Sequence, residues 1–92
     1  MTDREICKSA INIFGKDIQR HMLIEEFSEL IIAINKHERS ASPVSGYEQS
    51  IAEEVADVEV MLMQIKEMYL NHTAVDAWRR KKLDKLKSKL EG

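Results

Sequence analysis

Cysteine, proline and glycine are nearly missing from this chain, which has one, one and three of them in 92 residues. A single cysteine, Cys7, rules out an internal disulfide framework and points to a reducing compartment. So little glycine and proline leaves few places to break a helix. With one tryptophan, two tyrosines and two phenylalanines, the chain lacks the aromatic platforms of single-strand nucleic-acid binders. No apolar run spans a bilayer, and none at the N-terminus resembles a signal peptide, so a cytoplasmic protein without membrane contact is expected.

What remains is a chain rich in aliphatic and charged residues, a globular helical composition. The length fits one domain over residues 1–92, with a core thin enough that self-association would help it. The formal charge of −2 is unevenly spread. Residues 1–78 carry a net −7 and residues 79–92 a net +5. An acidic body with a basic end can hold a cation and a polyanion together, although a basic helix end is also an ordinary solvated surface.

Periodicity predicts four helices. The first covers about 3–14, with Thr2 or Asp3 as its cap, an apolar side of Ile6, Ala10, Ile13 and Phe14, and Gly15 as its stop. Cys7 falls on that side as a small core residue. Asp17 caps a second helix that runs to about residue 37, with Leu23, Phe27, Leu30 and Ile34 as its core stripe. A Ser- and Pro-containing loop follows over 40–46, the one place for a lid or insertion. The third helix runs from about Tyr47 to Tyr69 or Leu70. Its seam is Ile51, Val55, Val58, Leu62, Ile65 and Tyr69. Thr73 then caps a fourth helix that extends to about Leu90. The fold class is therefore all-α, an antiparallel four-helix bundle.

Two acidic pairs stand out. Glu26 and Glu29 on the second helix, and Glu54 and Asp57 on the third, are each spaced i, i+3 and so share a helix face. Each pair borders an apolar stripe, so the two can face each other across one cleft. Four carboxylates in such a cleft repel one another, and a divalent cation resolves the conflict. Hard oxygen donors suit Mg²⁺, with Mn²⁺ as the substitute. His21, His37 and His72 have no metal-ligand spacing.

Glu25-Glu26-x-x-Glu29 followed by Glu54-x-x-Asp57 resembles the EExxE…ExxD signature of the MazG-like all-α nucleoside triphosphate pyrophosphohydrolases, a superfamily that includes dimeric dUTPases and dCTPases. Phe14-Gly15 and Gln19 resemble its lead-in, and Trp78-x-x-x-Lys82-Leu83-x-x-Leu86 resembles its last helix. The likeness covers about residues 12–90. It implies cleavage of a nucleoside triphosphate to the monophosphate and pyrophosphate. It also implies Mg²⁺ held by Glu26, Glu29, Glu54 and Asp57, and a homodimer or homotetramer whose subunits share the site. Lys82 is the phosphate contact and charge stabiliser, with Lys85 beside it; the alternative is that both are the wet face of a helix. Gln19 is a candidate substrate contact. Glu25 can orient the attacking water, or be a surface residue like Glu53. The rival reading is a non-catalytic helical oligomer or partner-binding module of the same shape. Nucleic-acid binding through the basic end is not expected, because the body is acidic and no recognition motif is present.

Overall fold

The structure, a computed structural model, describes residues 1–39 and 46–92, and side chains for all of these except residues 39 and 46–49. The described residues form four helices and no strand: α1 (Asp3–Phe14), α2 (Lys16–Arg39), α3 (Gly46–Tyr69) and α4 (His72–Glu91). The expected loop around Pro43, with any lid it carries, lies outside the described residues. Among the described residues no helix is long and apolar enough to cross a membrane.

Local chemistry sets the helix ends. Thr2 caps α1, its hydroxyl accepting from the Glu5 N–H at 3.1 Å. Gly15 closes α1 at φ 92°, a left-handed conformation that a Cβ would strain, and its N–H reaches the Ile11 carbonyl at 2.8 Å. The chain turns straight into α2 there. Asp17 therefore lies in the first turn of α2 and does not cap it; its carboxylate pairs with Arg20. The α3–α4 corner carries Leu70 at φ 50°, and the Asn71 N–H bonds back to the Lys66 carbonyl at 3.3 Å. That six-to-one bond is the Schellman closure, with leucine where glycine is usual. The expected Thr73 cap is corrected: α4 begins at His72, and Asn71 holds the cap position without a side-chain bond. With Leu70 already turning the chain, the helix starts one residue earlier than the threonine.

The core lies where α1 and α2 pack on α3. Its buried apolar members are Cys7, Ile11, Ala33, Val58, Met61 and Met68. The predicted stripes are rotated relative to it. On α1 the buried positions are Cys7 and Ile11, while Ile6, Ile13 and Phe14 are exposed. On α2 the inward seam is Gln19, Leu23, Glu26, Leu30, Ala33 and His37; Phe27 and Ile34 lie outside it. On α3 Val58 is buried as expected, but Val55, Leu62 and Tyr69 are exposed and Met61, Gln64 and Met68 take the inner face.

The fourth helix does not close a compact bundle. Apart from His72 and Val75, which are partly covered, every residue of α4 is exposed, and its packing is confined to α3. The radius of gyration is 16.4 Å, against about 12 Å for a compact chain of this length. The basic segment found in the sequence is thus a projecting arm.

Candidate acidic site between α2 and α3

One buried pair sets the register of α2 against α3. The Gln19 amide donates to the Gln64 carbonyl oxygen at 2.6 Å, and both residues are buried. The Gln64 amide in turn approaches the Met61 sulfur at 3.6 Å. Buried amides of this kind are costly unless paired, so the clasp disfavours slippage. Seven residues forward on α2 and seven back on α3, Glu26 meets Asp57. Three more in each direction, Glu29 meets Glu54. Two antiparallel helices held at Gln19–Gln64 therefore bring the four acids opposite one another, two to three turns away.

Oxygens of Glu26, Glu29 and Glu54 all lie within 4.8 Å of one another. Asp57 joins them through a carboxyl–carboxyl contact with Glu26. Glu26, Glu54 and Asp57 are half-buried, because they occupy the seam itself and not its border. One oxygen of Glu26 and one of Glu54 are shut off from solvent and, among the described residues, accept no hydrogen bond. Burial, and then the neighbouring negative charges, push the Glu26 and Glu54 carboxyls above their usual range. A cleft of about 280 Å³ opens beside the cluster, lined by Glu29, Ile32, Ala33 and Lys36 of α2 and by Ser50 and Glu54 of α3.

The other end of α3 shows how this chain treats a buried acid that belongs to the fold. The Glu67 side chain is 1% exposed, and Arg4, Lys8 and the His72 imidazole surround it. Arg4 Nε lies 2.6 Å from Oε1, His72 Nε2 lies 3.0 Å from the same oxygen, and Lys8 Nζ lies 3.9 Å from Oε2, which accepts no hydrogen bond among the described residues. The Arg4 hydrogen bond leads in holding the Glu67 carboxyl below the usual range. Glu67 ties α1 and the start of α4 to α3; the sequence carried no periodic signal for it. The four acids of the α2–α3 cleft have no such cations in ion-pair contact among the described residues.

Other expected site residues are placed elsewhere. Gln19 is committed to Gln64 within the helix interface. Glu25 is exposed and outside the carboxylate cluster. Lys82 lines a shallow apolar groove of α4 with Val75, Trp78, Arg79, Leu83 and Leu86, while Lys81 lies 5.0 Å from the Trp78 ring centre. Lys85 is exposed on the same arm. No described residue of α4 lines the acidic cleft. Two cleft residues, Lys36 and Ser50, were not singled out from sequence. The available signal was spacing: Lys36 follows Glu29 by seven residues, two helical turns on one face.

The raised carboxyls give a stability prediction. A group whose folded pKa is raised stabilises the fold in its protonated form and loses that contribution as pH rises through the folded value. Metal-free protein should therefore melt higher near pH 5 than near pH 7.5. Glu67 acts with the opposite sign: its contribution is lost as pH falls below the ordinary carboxylate range. Thermal melts in EDTA should thus peak in mild acid, and Glu26→Gln should flatten the slope on the neutral side. A melting temperature that climbs steadily from pH 5 to 7.5 in wild type would contradict this.

Comparison of the chain with protein-family models, curated proteins and solved structures returned no match.

Proposed function

We propose that this chain is a Mg²⁺-dependent nucleoside triphosphate pyrophosphohydrolase of the MazG-like kind, converting a nucleoside triphosphate and water to the monophosphate and pyrophosphate. The observation that carries the reading is the uncompensated carboxylate cluster. Glu26, Glu29, Glu54 and Asp57 oppose one another in a register fixed by a buried clasp, with one oxygen of Glu26 and one of Glu54 shielded and without a hydrogen bond among the described residues. On α3 Glu67 has instead the cations Arg4 and Lys8 and the His72 ring nitrogen around it. An arrangement that destabilises the empty protein has a physical rationale where a cation completes it.

The donor set fits such an ion: all-carboxylate, hard and clustered. Glu26, Glu29, Glu54 and Asp57 would hold Mg²⁺, which when bound neutralises phosphate oxygens and lowers the pKa of bound water. The protein's own part is mainly positioning, as phosphoryl transfer demands. Gln19 and Gln64 keep the helices in register. Ala33, small and buried in the cleft, leaves room beside Glu29. Glu25 is exposed and would have to reach inward to orient water. Lys82 and Lys85 stand on an arm whose residues do not line the cleft of their own subunit, so their phosphate role requires a second copy of the chain.

The rival reading, a non-catalytic helical oligomer, draws on the many exposed apolar side chains of α2 and α4. The discriminating experiment is incubation with Mg²⁺ and a panel of canonical and modified nucleoside triphosphates, separating pyrophosphate from orthophosphate. Pyrophosphate release that EDTA abolishes supports the enzyme; no turnover of any triphosphate, with no metal binding, leaves the oligomer.

A further inference from the structure

Lys36 is the one cation lining the cleft beside the acidic cluster among the described residues. It forms no ion pair within the described residues, although Glu29 and Glu54 line the same cleft. It stands two turns beyond Glu29 on the same face of α2, opposite the Ser50 end of α3. Helical side chains lean toward the N-terminus of their helix, which for a cleft-lining Lys36 favours a stem directed back toward Glu29. The cleft thus has carboxylates at one end and an ammonium at the other, with a small apolar floor between them. Carboxylates and a lysine too far apart to pair directly are spaced for a ligand that is bound through a cation at one end and is itself anionic at the other.

We infer that Lys36 binds the phosphate chain of the substrate from within the same subunit, as a point charge at the end of the cleft away from the carboxylate cluster. The inference rests on the proposed function and adds to it a residue and a direction: the phosphates run along α2 from the carboxylate cluster toward Ser50. It also separates the phosphate contact from the α4 arm. Ile32, exposed in the cleft wall, is then left for the less polar part of the nucleotide.

The test compares wild type, Lys36→Ala, Lys36→Arg and, as a surface-charge control, Lys87→Ala. Binding of an α,β-imido nucleoside triphosphate in Mg²⁺ is measured by calorimetry, and binding of Mn²⁺ alone by electron paramagnetic resonance. Lys36→Ala should weaken the analogue about ten- to a hundredfold, the loss of one charge-assisted contact. The loss should be alike for purine and pyrimidine analogues, with Mn²⁺ affinity and melting temperature unchanged. Lys36→Arg should recover most of it. If wild type binds the analogue in a metal-dependent way and Lys36→Ala matches Lys87→Ala, this inference is overturned and the proposed function stands. If wild type binds neither Mn²⁺ nor the analogue, both fall. A Lys36→Ala protein that also loses Mn²⁺ or melts lower marks a structural lysine and overturns the inference.

Discussion

Glu29→Ala and Asp57→Ala should each cut pyrophosphate release by at least about a hundred- to a thousandfold, the scale of a lost electrostatic stabiliser of the transition state. Their helical circular dichroism should match wild type. Each residue stands on a different helix, and each faces a carboxylate partner across the seam. Removing one leaves a three-sided cage that holds the cation more loosely and misplaces the attacking water. The fold has no reason to suffer, because the deletion removes like-charge repulsion. The metal-free variants should melt at or slightly above wild type, while the rise in melting temperature that Mg²⁺ gives wild type should shrink. Loss of activity with higher apo stability is a signature that a structural acid would not produce; Glu67→Ala, which strands Arg4 and His72, should destabilise instead. Turnover by wild type in excess EDTA, or near-normal rates for both variants at saturating Mg²⁺, would sink the metal-site reading.

Much of the site was legible because it follows from spacing alone. Two i, i+3 acidic pairs on neighbouring antiparallel helices can be placed on faces from the sequence, and the register then needs only one anchor. That anchor, Gln19–Gln64, was not legible. A glutamine in a helix is usually solvated, and nothing local says that two of them, forty-five residues apart, will pair. The helix ends were read to within a residue or two, since Gly15 and Thr2 act locally, whereas Leu70 in a left-handed conformation has no such signal.

The faces were less legible, and the reason is physical. Hydrophobic periodicity finds the most apolar stripe of a helix and assigns it to the core. In α2 that stripe is Leu23, Phe27, Leu30 and Ile34; Leu23 and Leu30 do lie in the inward seam, with Gln19, Glu26 and Ala33, but Phe27 and Ile34 are exposed with Ile24 and Ile31. Where polar residues occupy a helix interface, the apolar stripe is displaced from it. The same holds for α3, where Glu54, Asp57 and Gln64 lie inward and Val55, Leu62 and Tyr69 do not. The core side of α3 takes Met61 and Met68, and its exposed apolar side chains, Val55, Val60 and Leu62, lie on other faces.

That displaced stripe leads to the second large expectation, a homo-oligomer at micromolar concentration. Ile24, Phe27, Ile31 and Ile34 recur at steps of three, four and three residues, the repeat of a helix–helix seam, and they are 62%, 40%, 59% and 42% exposed. The α4 arm adds Trp78, Leu86 and Leu90, exposed to 61%, 52% and 80%. Covering each of the four α2 side chains would contribute roughly 1 kcal/mol in each subunit, about half of a full burial. Charge favours a partner of the same kind, since the arm is basic and the body acidic, and a second copy is the simplest source of both. A second copy is also what a phosphate role for Lys82 and Lys85 would require, since no described residue of α4 lines the cleft of its own subunit. Sedimentation velocity at micromolar concentration should show a dimer or tetramer. Ile31→Glu should weaken it by about a hundredfold or more, because a carboxylate in an apolar contact costs several kcal/mol when unpaired. Glu25→Gln, about 100° or more around α2 from each of those four side chains, should leave assembly intact. A stable folded wild-type monomer at that concentration, or an Ile31→Glu protein that sediments like wild type, would remove the shared site and with it any phosphate role for the α4 lysines, leaving Lys36 as the phosphate cation of a single-subunit cleft.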